Sequence, residues 1–93
     1  MTLTKLEAER RLANLKGWHL RAKQISRTFV FDDFAQSMHF VNRVAKRAES
    51  MYHHPDILIR YNKVRLSLTT HDEGGLTVKD FRLARQINQL MHG

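Results

Sequence analysis

The chain has 93 residues, 42% of them hydrophobic, and this length supports one domain with a modest core. It contains no cysteine, which excludes disulfides and thiolate metal sites. Its N-terminal segment is charged from the fifth residue, and no apolar run approaches the length of a membrane span. We therefore predict a single domain over residues 1–93, located in the cytoplasm and without a membrane partner.

Basic side chains outnumber acidic ones by 16 to 9, which gives a formal net charge of +7. Such a charge raises the question of a nucleic-acid partner. The lysines and arginines are, however, spread along the chain singly or in pairs rather than gathered in one tract. This distribution favours a solvated basic surface over a nucleic-acid footprint, and it leaves open the attraction of an anionic small molecule or an acidic protein.

The N-terminal segment has the pattern of a capped helix. Thr4 and Glu7 have the spacing of a capping box, in which each side chain hydrogen-bonds the other residue's backbone N–H. Gly17 can adopt the left-handed conformation that ends many helices. A first helix is therefore predicted from about Lys5 to Lys16.

Two strands are predicted after this helix. Residues 18–20 favour a short strand, and residues 21–24 a connecting turn. Alternation of apolar and polar side chains then predicts a second strand, whose inward face consists of Ile25, Phe29 and Phe31. Trp18 fits either the core or the wall of a cleft.

Asp33 and Gln36 predict the start of the longest helix, again with capping-box spacing. Its apolar residues recur in steps of three and four, so we predict that one stripe packs on a sheet. The stripe consists of Phe34, Met38, Val41, Ala45, Ala48 and Tyr52 and is widened by Phe40, Val44 and Met51. Pro55 cannot continue a helix, which must therefore end near Tyr52. Glu49 is either a solvated surface residue or a group that holds a neighbour such as a histidine.

The last third of the chain predicts a hairpin and a final helix. Two antiparallel strands, residues 57–61 and 64–70, are joined at Asn62 and Lys63, where Asn tolerates positive φ. His71 should continue the polar face of the second strand. Thr77 and Asp80 form another capping box, which opens a helix with the apolar face Phe81, Ala84, Ile87, Leu90 and Met91. Together these elements predict an α+β fold with helices on one face of an antiparallel sheet.

Three of the six histidines, His53, His54 and His71, lie between Glu49 and Asp80. Imidazole exchanges protons near neutral pH, so this cluster beside one acid is a candidate proton-transfer site. A zinc site is disfavoured, because adjacent extended residues point to opposite sides and no familiar ligand spacing is present. We predict no metal. A structural role for one histidine remains open. Asp80 can serve both as a helix cap and as the acid that orients an imidazole.

Several motifs in this region share a specific spacing: E-x-x-x-H-H-P from Glu49, Y-N-K-V from Tyr61, T-x-H from Thr69 and G-L-T-x-x-D from Gly75. Together with Trp18 and F-x-F-x-D-F from Phe29, they closely resemble the pterin-4a-carbinolamine dehydratase family over nearly the whole chain. The resemblance implies a two-layer sandwich, a four-stranded antiparallel sheet with three helices on one face. It also implies association into homodimers or homotetramers.

The function implied by the resemblance is a cofactor-free dehydratase. Such an enzyme removes water from a 4a-hydroxytetrahydropterin and gives the quinonoid dihydropterin that a reductase recycles. The catalytic residues implied are His53, His54, His71 and Asp80, and the substrate-binding residues are His54, Pro55, Glu49, Trp18 and Lys79. The alternative is a protein-interaction or transcriptional-coactivator module on the same scaffold, with an unknown protein partner.

Overall fold

A computed structural model describes residues 1–91; the last two residues of the predicted domain lie outside this range. The helices are α1 (Lys5–Leu12), α2 (Phe34–Met51) and α3 (Val78–Leu90), and the strands are β1 (His19–Arg21), β2 (Gln24–Val30), β3 (Asp56–Arg60) and β4 (Lys63–Leu68). The four strands form one antiparallel sheet in the order β1-β2-β4-β3. The predicted α+β fold, with three helices and a four-stranded antiparallel sheet, is confirmed.

The core lies between the helices and the inner face of the two central strands, β2 and β4. Strand pairing aligns their inward residues, with Ile25 opposite Leu68 and Phe29 opposite Val64. The ring of Phe29 also packs against Phe40 of α2, with 4.7 Å between the ring centroids. Burying these side chains, at roughly 1.5–3 kcal/mol each, is the main source of stability in a domain of this size.

Helix α1 is shorter than predicted. Its capping box between Thr4 and Glu7 is present, and these hydrogen bonds lower the pKa of the Glu7 carboxyl. The helix nevertheless ends at Leu12 rather than near Lys16, because the following N–H groups bond three residues back in successive tight turns. Gly17 does adopt positive φ, at 89°, but beyond those turns rather than at the helix end.

The buried face of α2 keeps part of the predicted stripe and shifts its centre. Asp33 caps the helix by accepting from the Gln36 N–H, and the helix ends at Met51, as expected, but only this half of the predicted capping box is described. The side chains that reach the core are Phe40, Val41, Val44 and Ala48, all members of the predicted stripe, together with Ser37. Phe34 and Tyr52 are 51% and 89% exposed, and Ala45 also lies outside the core. The pattern of apolar residues did not reveal this shift because Ser37, a polar residue, is fully buried with its hydroxyl bonded to the Asp33 carbonyl at 3.1 Å.

Three predictions for the C-terminal third were wrong in detail. The β3–β4 turn is one residue earlier than predicted, and positive φ falls on Tyr61 rather than Asn62, whose amide instead donates to the Phe31 carbonyl at 3.1 Å. Strand β4 ends at Leu68, so His71 begins a short 3₁₀ helix instead of continuing a strand face. In α3, Met91 is exposed, while Leu83 joins the buried face.

A hydrogen-bond network around Arg27 joins α3 to the loop before β1. The Arg27 guanidinium donates to the Asn88 side chain at 2.7 Å and to the Lys16 carbonyl at 3.0 Å, and it lies 4.4 Å from the centroid of the Phe29 ring. Gly17 sits against this guanidinium, since an added Cβ would come within 2.6 Å of the Arg27 Nε atom. Glycine is therefore required here by both the backbone conformation and the lack of space.

The space requirement at Gly17 can be tested with Gly17→Ala, using Gly74→Ala as the matched control. Both glycines have positive φ, but an added Cβ at Gly74 meets nothing within 4 Å. Gly74→Ala should lower the free energy of unfolding by about 1 kcal/mol, through backbone strain alone. Gly17→Ala should cost about 2–3 kcal/mol, because the Arg27 hydrogen bonds must also shift. Equal losses in urea denaturation would show that the Arg27 contact is unimportant.

Candidate active site

The end of α2 separates the two adjacent histidines. Tyr52 takes the left-handed conformation with φ of 51°, and its N–H still bonds the helix carbonyls. The His53 N–H then returns to the Ala48 carbonyl at 3.1 Å. This exit turns His53 inward, where it is 8% exposed, and leaves His54 on the surface. Pro55 follows, half-buried, and allows no further helix.

His53 contacts a fully buried carboxylate. Its Nε2 atom lies 2.6 Å from Oδ1 of Asp80, whose side chain has no exposed surface. Asp80 is in the first turn of α3, where the helix dipole and the Thr77 cap favour a negative charge. The pair therefore joins the end of α2 to the start of α3 through a buried hydrogen bond that is shielded from water.

The second oxygen of Asp80 accepts two further hydrogen bonds. The Thr77 backbone N–H and the Thr70 hydroxyl each lie 2.9 Å from Oδ2. Thr70 Oγ1 is also 2.8 Å from Thr77 Oγ1. Asp80 is thus both helix cap and partner of an imidazole, the two roles that the sequence indicated.

His54 and Glu49 form a second histidine–acid pair, on the surface. The Nε2 atom of His54 is hydrogen-bonded to Oε2 of Glu49, which lies five residues earlier, in the last turn of α2. Both residues are exposed, so water competes with this contact and its contribution to stability is small. Of the two interpretations of Glu49, the structure supports the one in which it holds a histidine.

His71 is close to the buried pair along the chain but is itself exposed. It directly follows Thr70, whose backbone pairs with Gly75 across a single bridge. A cavity of about 590 Å³ is lined by His71 together with residues of the β1–β2 turn and Gly74. The lining residues of this cavity include neither His53 nor Asp80. The structure therefore brings His53 and Asp80 into direct contact and connects His71 to them through Thr70.

Trp18 and Lys79 differ in their relation to the site. Trp18 is only 5% exposed, and its indole N–H donates to Asn88 at 2.8 Å, so the described contacts favour packing. Lys79 is exposed, with its Nζ atom 4.0 Å from Glu73 in the 3₁₀ helix that contains His71. The Met1 amino group also hydrogen-bonds Glu73, and this bond lowers the pKa of the Glu73 carboxyl.

Within residues 1–91, no group of three or more histidine and acidic side chains is arranged to hold a metal ion. No helix in that part of the chain has the length and apolar character of a membrane span.

Sequence reasoning missed Thr70 as part of this site. The buried face of β4 consists of Val64, Leu66 and Leu68, and Thr70 continues the same alternation just beyond the strand. A polar residue in an apolar series is a usable signal, because a buried hydroxyl needs a hydrogen-bond partner. The partner could not be named without knowing that the N-terminus of α3 lies beside the end of β4.

Comparison with known families agrees with this arrangement. The family described as pterin 4 alpha carbinolamine dehydratase matches residues 1–90. The chain belongs to this family. A curated relative from Acidobacterium capsulatum, which carries the name of the dehydratase provisionally, is 54% identical to this chain. The match covers 96% of this chain and 97% of the relative. A second such relative, from Sulfurisphaera tokodaii, is 47% identical over 96% of each chain.

Solved structures extend the comparison to the fold of the dehydratase family. The structure of a transcriptional coactivator/pterin dehydratase from Brucella melitensis has a TM-score of 0.91 and 36% identity, over 96% of this chain and 97% of that one. A pterin dehydratase-like protein, a RuBisCO assembly factor in the alpha-carboxysome, has a TM-score of 0.68 and 22% identity, over 80% and 88% of the two chains. The second likeness concerns the fold alone.

The structural role of Asp80 can be tested with Asp80→Asn. An amide presents an N–H group where His53, Thr70 or Thr77 now donates, so one buried donor loses its acceptor. The free energy of unfolding should fall by about 2–4 kcal/mol. Asp72→Asn, which changes an exposed acid in the 3₁₀ helix, is the control and should cost less than about 0.5 kcal/mol. Equal urea midpoints for Asp80→Asn and the unaltered protein would contradict the assigned contacts.

Proposed function

We propose that this protein is a dehydratase that removes water from a 4a-hydroxytetrahydropterin and releases the quinonoid dihydropterin. The observation that carries the proposal is the buried His53–Asp80 pair, in a chain whose family match covers residues 1–90. A buried imidazole with an acidic partner is a common device for proton transfer near neutral pH. The product would then be reduced in tetrahydropterin recycling.

The reaction needs one proton donor and one proton acceptor. The bond between C4a and the hydroxyl oxygen breaks as an acid protonates that oxygen, and water leaves. The lone pair of the neighbouring N5 forms the C4a–N5 double bond, and a base takes the N5 proton. Imidazoles can perform both steps at neutral pH, so the proposed reaction uses no cofactor and no metal.

Each histidine has a separate role in this proposal. His53 and His71 are the acid/base pair, and Asp80 orients the imidazole of His53. His54 binds and orients the substrate. Glu49 holds the His54 ring by the hydrogen bond between them, which would keep that ring ready for contact.

The other proposed site residues support substrate binding rather than proton transfer. Pro55 fixes the backbone behind the histidine pair. Lys79 would attract polar groups of the pterin as a point charge, because its ammonium lacks the planar fork of an arginine. Trp18 would support the cleft wall rather than stack on substrate, in keeping with its burial and its bond to Asn88.

The acid/base assignment predicts a large loss of activity in His53→Gln, His71→Gln and the double variant. Glutamine can still donate a hydrogen bond to Asp80, so the fold should be kept, but it cannot exchange a proton at neutral pH. Each single change should slow dehydration by at least about a hundredfold. A stopped-flow assay on freshly prepared carbinolamine measures this step directly.

His39→Gln is the matched control for these variants, because it makes the same change at an exposed position on α2. Its dehydration rate should equal that of the unaltered protein. An unchanged rate in the double variant would rule out the acid/base assignment. Failure of the unaltered protein to accelerate dehydration would rule out the proposed function.

Association into a homodimer or homotetramer is also part of the proposal, together with a cytoplasmic location. Large side chains with an exposed apolar surface are available for an interface: Val30, Phe34, Tyr52, Leu58 and Tyr61. Burying such groups between copies removes them from water. Light scattering should therefore give the mass of two or four chains, and a single-chain mass at every concentration would contradict this.

The alternative is a protein-interaction or coactivator module. It is favoured by the name of the Brucella melitensis relative, a transcriptional coactivator/pterin dehydratase, and by the same exposed apolar side chains. Only the enzymatic proposal requires His53 and His71 to change the rate of dehydration, so the kinetic assay separates the two.

A further inference from the structure

We propose that Thr70 is a positioning residue: with Thr77 it holds Asp80 as a charged acceptor and fixes His53 in the tautomer protonated on Nε2. His53 Nδ1 is then the atom that meets the substrate. The inference deepens the proposed dehydratase function and rests on it.

The two threonine hydroxyls have a defined direction. Thr70 donates its single hydroxyl proton to Asp80 Oδ2 at 2.9 Å. Its oxygen, 2.8 Å from Thr77 Oγ1, must then accept the Thr77 proton, since each hydroxyl has only one to give. The Thr77 oxygen in turn accepts from the Lys79 N–H at 3.3 Å. The order of donation therefore runs from the Lys79 backbone, through Thr77 and Thr70, to Asp80.

This order of donation excludes a proton on the Oδ2 atom of Asp80. Oδ2 already faces two donors, the Thr77 N–H and the Thr70 hydroxyl, so a proton on that oxygen would point at one of them. Two donors at Oδ2 also stabilise the negative charge of a carboxylate that has no contact with water. In this proposal the carboxylate acts as acceptor at Oδ1 too, so that its partner there, His53 Nε2, carries the proton.

The other ring nitrogen of His53 is left available. The side-chain hydrogen bond of His53 within residues 1–91 runs through Nε2, not Nδ1. Over the same residues, no buried side-chain nitrogen or oxygen without accessible surface lacks a partner. Nδ1 is therefore not a fully enclosed atom, although the residue as a whole is only 8% exposed. It is the atom of His53 through which a proton can pass to or from a bound pterin.

Thr70 also connects this chain of hydrogen bonds to the loop that contains His71. Its N–H donates to the Gly75 carbonyl at 3.1 Å, and its own carbonyl accepts from Gly75 at 3.3 Å and from Glu73 at 3.1 Å. A residue fixed through both backbone and side chain sets the distance between the buried His53–Asp80 pair and the start of the 3₁₀ helix. Its position thus bears on both members of the proposed acid/base pair.

The tautomer of the unaltered protein gives a first test that needs no activity. Nitrogen-15 NMR of the neutral ring, with the signals assigned by their loss in His53→Gln, distinguishes the protonated from the unprotonated nitrogen. We expect Nε2 to be protonated and Nδ1 to be free. The opposite tautomer would overturn the inference, even if the protein proves to be a dehydratase.

Thr70→Val, Thr70→Ser and Thr28→Val give the second test. Valine removes the hydroxyl with little change in shape, and serine restores it. Thr28→Val is the control because it makes the same change at an exposed position on β2 that does not line the His71 cavity. Thr70→Val should lower kcat by about tenfold or more with little change in KM, and should mix the His53 tautomers. Serine should restore both readouts, and Thr28→Val should leave both unchanged.

Two results would overturn the role of Thr70: a folded Thr70→Val protein with unchanged kcat and unchanged tautomer, or an equal loss in Thr28→Val. Should Thr70→Val not fold, the wild-type tautomer and the Thr70→Ser kinetics decide the matter, since serine must then retain both the rate and the tautomer. If the wild-type protein shows no dehydration at all, the proposed function fails. The NMR result still decides whether the threonines fix the ring.

Discussion

The buried carboxylate of Asp80 is the constraint that connects the parts of this molecule. A carboxyl group without contact with water must be hydrogen-bonded, and here His53, Thr70 and Thr77 each supply a partner. These partners come from the end of α2, the segment after β4 and the cap of α3. Satisfying one carboxylate therefore fixes the relative position of three elements that are far apart in sequence.

The same constraint divides the histidines into chemically different groups. His53 is enclosed and held by a short bond to a carboxylate, while His54 is exposed and paired with a surface acid. The cause of the difference is one backbone conformation, the left-handed Tyr52, which lets the chain leave α2 with successive side chains on opposite sides. An acid/base site benefits from this arrangement, because one ring is rigid and another can adjust to a bound molecule.

Sequence reasoning succeeded where local chemistry decides the outcome. The capping boxes of Thr4 and Thr77 and the alternation in β2 and β4 involve residues within a few positions of one another, and all are present. It failed where distant contacts decide, as in the rotation of α2 around the buried Ser37. For Asp80, the sequence indicated both a helix cap and a partner of an imidazole. The contact of Thr70 with Asp80 could not be predicted, because it depends on how α3 packs beside the end of β4.

The two contacts of Asp80 also bear on how related chains can be divided into enzymes and non-catalytic proteins with the same fold. An aspartate at this position caps a helix and anchors the interior, so it would stabilise even a protein that had lost all catalytic chemistry. Asp80 by itself, without the His53 imidazole bonded to it, is therefore a poor marker of catalysis. His71 is more informative, because it is exposed and no described side-chain hydrogen bond within residues 1–91 holds it. An imidazole retained there has to be accounted for by what the protein does rather than by how it folds.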